Sequence, residues 1–211
     1  MARPYSRWLL IVPLMTVLSA PARGDGGGPV AMLRDMTAQL IEIADRNPEI
    51  LDDPVELRLV ANKIVLPHVD LMGLSRRVLG KYWRKATAVQ QVAFAREFRE
   101  LLLGAYLRSV RAYKDNTIEF LPLRDGGQEN RVMVKALIDQ KNGPVVHAAF
   151  RLHRVDSEWL IYDVLVEGIS MVATHRSTFS QEIHNHGIDK LIEQLRLKNE
   201  ANVTQQVARD G

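Results

Sequence analysis

Asp163, Ser170 and His175 lie close together in the chain and are the residue types of a hydrolytic triad. A serine becomes a nucleophile when an imidazole takes its proton and a carboxylate holds that imidazole in place. The segment Glu167-Gly168-Ile169-Ser170-Met171 carries no G-x-S-x-G elbow, and no strand–turn–helix context presents Ser170 at a strained corner. His184 and His186 stand at i, i+2, a spacing that puts two side chains on different helix faces and does not suit a metal. The chain has no cysteine, so thiol nucleophiles and thiolate-bound metals are excluded. The expectation is a protein with no catalytic residue, no metal and no cofactor.

The elements around these residues explain more. Arg3 and Arg7 precede the apolar run Trp8–Leu18, and Ala20-Pro21-Ala22 follows with small residues where a signal peptidase cuts. Together they predict a cleaved secretory signal over 1–22. The run is well short of the ~20 residues that span a bilayer, and Pro13 interrupts it. Without Arg3 and Arg7 the 28 basic residues fall to 26 against 25 acidic ones, which leaves no basic excess for nucleic acid. The glycines at 24, 26, 27 and 28 make 23–29 a flexible leader. A single domain follows over 30–198, with no internal repeat, and 199–211 reads as a polar tail.

Within that domain, Val30 to Arg46 has helical periodicity and Asn47-Pro48 stops it. Pro54 opens a second helix running to about Leu66, and a third begins near Asp70 and ends at Gly80. Thr87-Ala88-Val89-Gln90 fits a capping box for a long helix reaching about Tyr113 and packing on a sheet. Arg96, Glu97, Arg99 and Glu100 are expected on its outer side. Four strands follow near 117–122, 131–139, 145–154 and 158–166, joined by short turns. Helices over 178–185 and 188–197 close the domain. Helices, then a meander, then helices make an α+β fold rather than an alternating α/β one.

Four blocks in order carry a family resemblance. They are Leu66-Pro67-His68-Val69-Asp70 with Val78-Leu79-Gly80-Lys81-Tyr82-Trp83-Arg84-Lys85-Ala86-Thr87; then Gln90, Phe94, Phe98 and on through Leu102 to Tyr106; then Trp159 to Val164 running into Glu167 to Met171; then Phe179 and Gly187 to Ile192. Behind a signal segment, these blocks make the chain resemble the MlaC, or toluene-tolerance, family of periplasmic phospholipid-binding proteins, which has a hopanoid-associated branch. Two positions depart from the pattern: His175 stands where an aromatic residue is frequent, and so does His68. The resemblance implies N-terminal helices, a strongly twisted antiparallel sheet of four strands or slightly more, C-terminal helices, and an apolar pocket between sheet and helices. It also implies a soluble periplasmic carrier of phospholipid. Its partners would be an outer-membrane lipoprotein complex and the ring-forming substrate-binding subunit of an inner-membrane ABC transporter, and its role the upkeep of outer-membrane lipid asymmetry. Carriage of another apolar lipid, such as a hopanoid intermediate, is the alternative, and a pocketless interaction module is a third reading.

A two-chain phospholipid exposes roughly 30 methylenes at about 0.8 kcal/mol each, so a soluble carrier must offer a deep apolar cleft. The expected walls are Phe94, Phe98, Leu102 and Tyr106 on the long helix and Val134, Ala136, Ala148 and Phe150 on the sheet. Ile169, Met171 and Val172 beside Phe179 are expected at the mouth. Ordinary core packing produces the same pattern. Arg76, Arg77, Lys81, Arg84 and Lys85 form a basic run that is the candidate partner surface, or else a solvated face.

Overall fold

The computed structural model describes residues 27–112, 117–123, 130–140 and 143–207, without the side chains of 106–112 and 203–207. The expected signal segment and most of the leader lie outside the described residues.

Helix α1 (Pro29–Arg46) begins with proline in its first turn and ends where the Asn47 N–H meets the Ile43 carbonyl. A short turn leads to α2 (Pro54–Val60), which Asp53 caps through its carboxylate to the N–H groups of Val55 and Glu56. The sequence predicts one helix to Leu66, whereas the chain loosens into a π turn (Ala61–Val65) and a 3-10 turn (Leu66–His68). Pro67 lacks the N–H that would continue an α-helix, so the change of pitch precedes it. Asp70 caps α3 (Leu71–Leu79) at the Gly73 N–H, and Gly80 ends it at φ +54°. The capping box forms as expected: Thr87 N–H donates to Gln90 Oε1 at 3.0 Å and Gln90 N–H to Thr87 Oγ1 at 3.2 Å. It starts α4 (Ala88–Ala112).

The sheet is an antiparallel meander in the order β1 to β5: Thr117–Phe120, Arg131–Asp139, Val146–Val155, Glu158–Val166 and the two-residue Ile169–Ser170. Register aligns Phe120, Ala136 and Ala148 in one row and Val134, Phe150 and Val164 in the next. Alternate residues share a face, so these rows form one apolar surface. Between β3 and β4 the register slips at Arg151/Leu152, leaving Tyr162 as an extra residue opposite Arg151. Helix α5 (Met171–His186) follows the last strand directly, starting earlier than its sequence pattern suggests, because Ser170 caps it at the Ala173 N–H. Helix α6 (Ile188–Val207) carries the expected polar tail on as helix.

The long helix does not lie flat on the sheet. It packs chiefly against α6, α3 and α2. Glu97, expected outward, is 6% exposed, and the buried Asn199 of α6 donates to both its carbonyl and its carboxylate. The apolar interior therefore divides. One cluster joins α3, α4, α5 and α6 around Phe94, Phe98 and Phe179. The other large one joins α1, the π turn and the sheet around Leu33, Val134 and Leu152, and a small third cluster of Ile50, Leu51 and Leu57 stands apart from both.

Candidate functional site

Where the two large clusters meet, side chains leave a cavity of about 350 Å³. That lies at the lower end of the ~300–1,000 Å³ common for small-molecule pockets. Phe98 and Leu102 of α4 line it on the helical side, with Val69 and Leu74 at the start of α3. Opposite them stand Ile118 and Phe120 of β1, Phe150 of β3, and Ile161 and Val164 of β4. Helix α1 supplies Met36, Thr37 and Leu40, and the π turn supplies Val65. Met171, Val172 and His175 of α5 complete the wall beside Asp163. Ile118 is 41% exposed and Met171 36%, which marks where the cavity meets solvent.

Two ionisable residues stand in this apolar lining, and their circumstances differ. Asp163 is 4% exposed and fully engaged: it accepts from Ser170 Oγ at 2.7 Å, Val172 N–H at 3.1 Å and Arg151 Nη1 at 3.0 Å. Those donors compensate a charge that an apolar wall alone would expel. The carboxylate also ties β4 to the first turn of α5, where unsatisfied N–H groups attract an anion. His175 instead packs its ring against Phe98 and Phe179, with centroids 5.5 and 5.4 Å away. Burial, and secondarily the charge of Lys198, pull its pKa below the ordinary histidine value, so the imidazole is neutral near neutral pH.

Of the expected wall residues, Phe98, Leu102, Phe150, Met171 and Val172 line the cavity. Phe94 and Phe179 belong instead to the helical cluster, with Phe179 edge-on to both Phe94 and Phe98. Val134, Ala136 and Ala148 are buried in the sheet cluster, where α1 fills the space that their small side chains were expected to leave open. Ile169 is 61% exposed on β5 and outside the lining, because the chain turns at Glu167-Gly168 and sends it to the sheet's end. The Tyr106 side chain lies outside the described residues. The contributions of α1 and β1 escaped sequence reasoning, since an amphipathic helix looks the same whether it covers a core or a cavity. His175 did carry a signal, as an unusual residue at an aromatic position.

Asp163, Ser170 and His175 come together, but not as a proton relay. Ser170 donates straight to Asp163 and its oxygen accepts the Ala173 N–H, while the imidazole lies among phenylalanines. His186 is 2.8 Å from Glu182 on the same helix, and no three His, Cys, Asp or Glu side chains group to hold a metal among the described residues. In the basic run, Arg76, Lys81, Arg84 and Lys85 are exposed. Arg77 is not a free surface cation: it pairs with Asp70 at 3.4 Å and lies 4.4 Å over the Tyr162 ring. No helix among the described residues is long and apolar enough to cross a membrane.

Residues 34–197 match the sequence model described as "MlaC protein". The chain is 26% identical over 171 residues to the intermembrane phospholipid transport system binding protein MlaC of Haemophilus influenzae, covering 79% of this chain and 80% of that protein. It is 29% identical over 190 residues to the toluene tolerance protein ttg2D of Pseudomonas putida, covering 88% of this chain and 84% of the relative. In three dimensions it resembles a phospholipid-binding protein of Ralstonia solanacearum solved in complex with a phospholipid. That likeness has a TM-score of 0.75 at 19% identity and covers 82% of this chain and 97% of the other.

Proposed function

The chain belongs to the MlaC protein family, and from that premise we propose that it binds phospholipid and carries it between membranes, holding acyl chains in the cavity between its two large apolar clusters. The observation that carries this reading is the division of the interior itself. A domain that could pack one continuous core instead leaves an open space walled by α1, α4, α5 and the sheet. Close packing is the rule in protein interiors, and a lined void forfeits dispersion contacts unless a ligand supplies them. Loading moves apolar tails out of water without a nucleotide, a metal or a covalent step. Burial that depends little on headgroup chemistry also leaves the cargo free to pass to a competing apolar site.

The sequence of 1–22 supports export, and the periplasm as the compartment in which the carrier works. The partners we assign are an outer-membrane lipoprotein complex and a ring-forming subunit of an inner-membrane ABC transporter. Arg76, Lys81, Arg84 and Lys85 form the candidate docking surface, exposed on α3 and the turn after it. The test is to extract the purified mature protein with organic solvent and identify what is released by mass spectrometry. Glycerophospholipid near one per chain is the expected result. Hopanoids alone would replace the cargo, and no lipid even after incubation with liposomes would overturn the reading.

A further inference from the structure

Along one side of α5, Met171, His175 and Phe179 recur at i, i+4 and i+8, and their exposure falls from the rim inward. Met171 is 36% exposed, His175 is intermediate and Phe179 is 6% exposed. Each step is about 6 Å along the helix axis. Phe179 lies outside the cavity lining, but Phe98, which lines it at 1% exposure with its ring 5.5 Å from the imidazole, gives His175 an apolar floor one turn inside the rim. Among the described residues neither of its ring nitrogens has a hydrogen-bond partner, whereas Asp163 beside it is taken up by Ser170, Val172 and Arg151. A neutral imidazole offers one N–H donor, and when cargo displaces water from the cavity that donor loses its hydrogen bond unless the cargo supplies an acceptor.

We propose that His175 is a binding residue for the ester linkage of the cargo, donating its ring N–H to an acyl ester carbonyl while the hydrocarbon tails continue past Phe98 and Phe150. This rests on the phospholipid-carrier reading. In a diacyl phospholipid the ester carbonyls stand where headgroup gives way to tail, the level that His175 occupies between an exposed rim and a buried floor. The chemistry selects diacyl over dialkyl lipid, because an ether oxygen is a poorer acceptor and stands where no carbonyl projects. Specificity of this kind comes from leaving a polar group unpaired when the wrong ligand binds.

The experiment offers the full-length mature protein a mixture of liposomes of diester phosphatidylcholine and its dialkyl ether counterpart with matched chains, and measures both lipids in the recovered protein. Wild type is expected to enrich the diester lipid about three- to tenfold, the range of one modest hydrogen bond. His175→Phe keeps a ring between Phe98 and Phe179 and is expected to lose the diester preference, read as the ratio of the two lipids in whatever it loads, while His175→Gln, which retains a donor, recovers part of it. Equal loading of the two lipids by wild type would overturn the assignment to His175 and leave the carrier reading intact, with no variant needed. A preference that persists in His175→Phe would overturn it too. Failure to load either lipid would instead strike the carrier reading itself.

Discussion

Asp163 stands in an apolar wall at 4% exposure with three donors around it. Aspartate, serine and histidine within a short stretch suggest proton transfer, yet only geometry reveals which bonds which. Here the carboxylate spends itself on fixing structure: it holds Ser170, the helix-capping residue, and the Val172 N–H, so the wall formed by Met171, Val172 and His175 stays against β4. Asp163→Ala leaves a buried N–H, a hydroxyl and the Arg151 guanidinium without their acceptor. A loss of about 3 kcal/mol is expected, discounted somewhat because Arg151 reaches solvent. Urea unfolding of the variant measures it. A loss below about 1 kcal/mol would mean that the carboxylate does not anchor α5. His175, by contrast, could not be assigned from its neighbours in sequence, because its surroundings come from α4 and α5 together.

At the scale of elements, the signals that are local in the chain translated well. The capping box, the proline-led α2, the start of α3 near Asp70 and the Gly80 stop each depend on a few consecutive residues, and each appears where the sequence puts it. Departures arise where a distant partner decides. Glu97 reads as an outward charge until Asn199, from a helix at the other end of the domain, covers it. The β3–β4 turn shows a local signal with residual strain. Asp156 and Ser157 have φ +47° and +74° between the paired Val155 and Glu158, the backbone of a two-residue hairpin turn with both central residues left-handed. A side chain at Ser157 works against that conformation by about 1–2 kcal/mol, and glycine removes the cost at some entropic expense in the unfolded chain. Ser157→Gly is therefore expected to raise stability by roughly 0.5–1 kcal/mol, read as a higher urea midpoint at unchanged slope. A lower midpoint would show that the serine side chain makes a compensating contact in the turn.

Across the whole molecule, the order of helices, meander and helices is visible in the sequence, but the division of the interior is not. Phe94 and Phe98 are the same residue type at helical spacing, and Ala148 and Phe150 alternate onto one sheet face, yet one of each pair faces a filled core and the other an open cavity. Which is which depends on how α1 and α4 are set apart, a property of no single segment. If the cavity is completed by cargo, stability should depend on cargo, because a ligand that binds only the folded state stabilises it by mass action. Lipid held at about a hundredfold over its dissociation constant adds about 2.7 kcal/mol. For a domain of this size that corresponds to a Tm higher by roughly 5–10 °C. Calorimetry of the protein as purified, after detergent exchange to remove lipid, and after reloading from liposomes provides the comparison. The expected order is a fall on stripping and recovery on reloading. An unchanged Tm across all three would mean that the two clusters close on each other when empty and that the cavity contributes nothing to binding, because a ligand that filled it could not leave the folded state's free energy where it was.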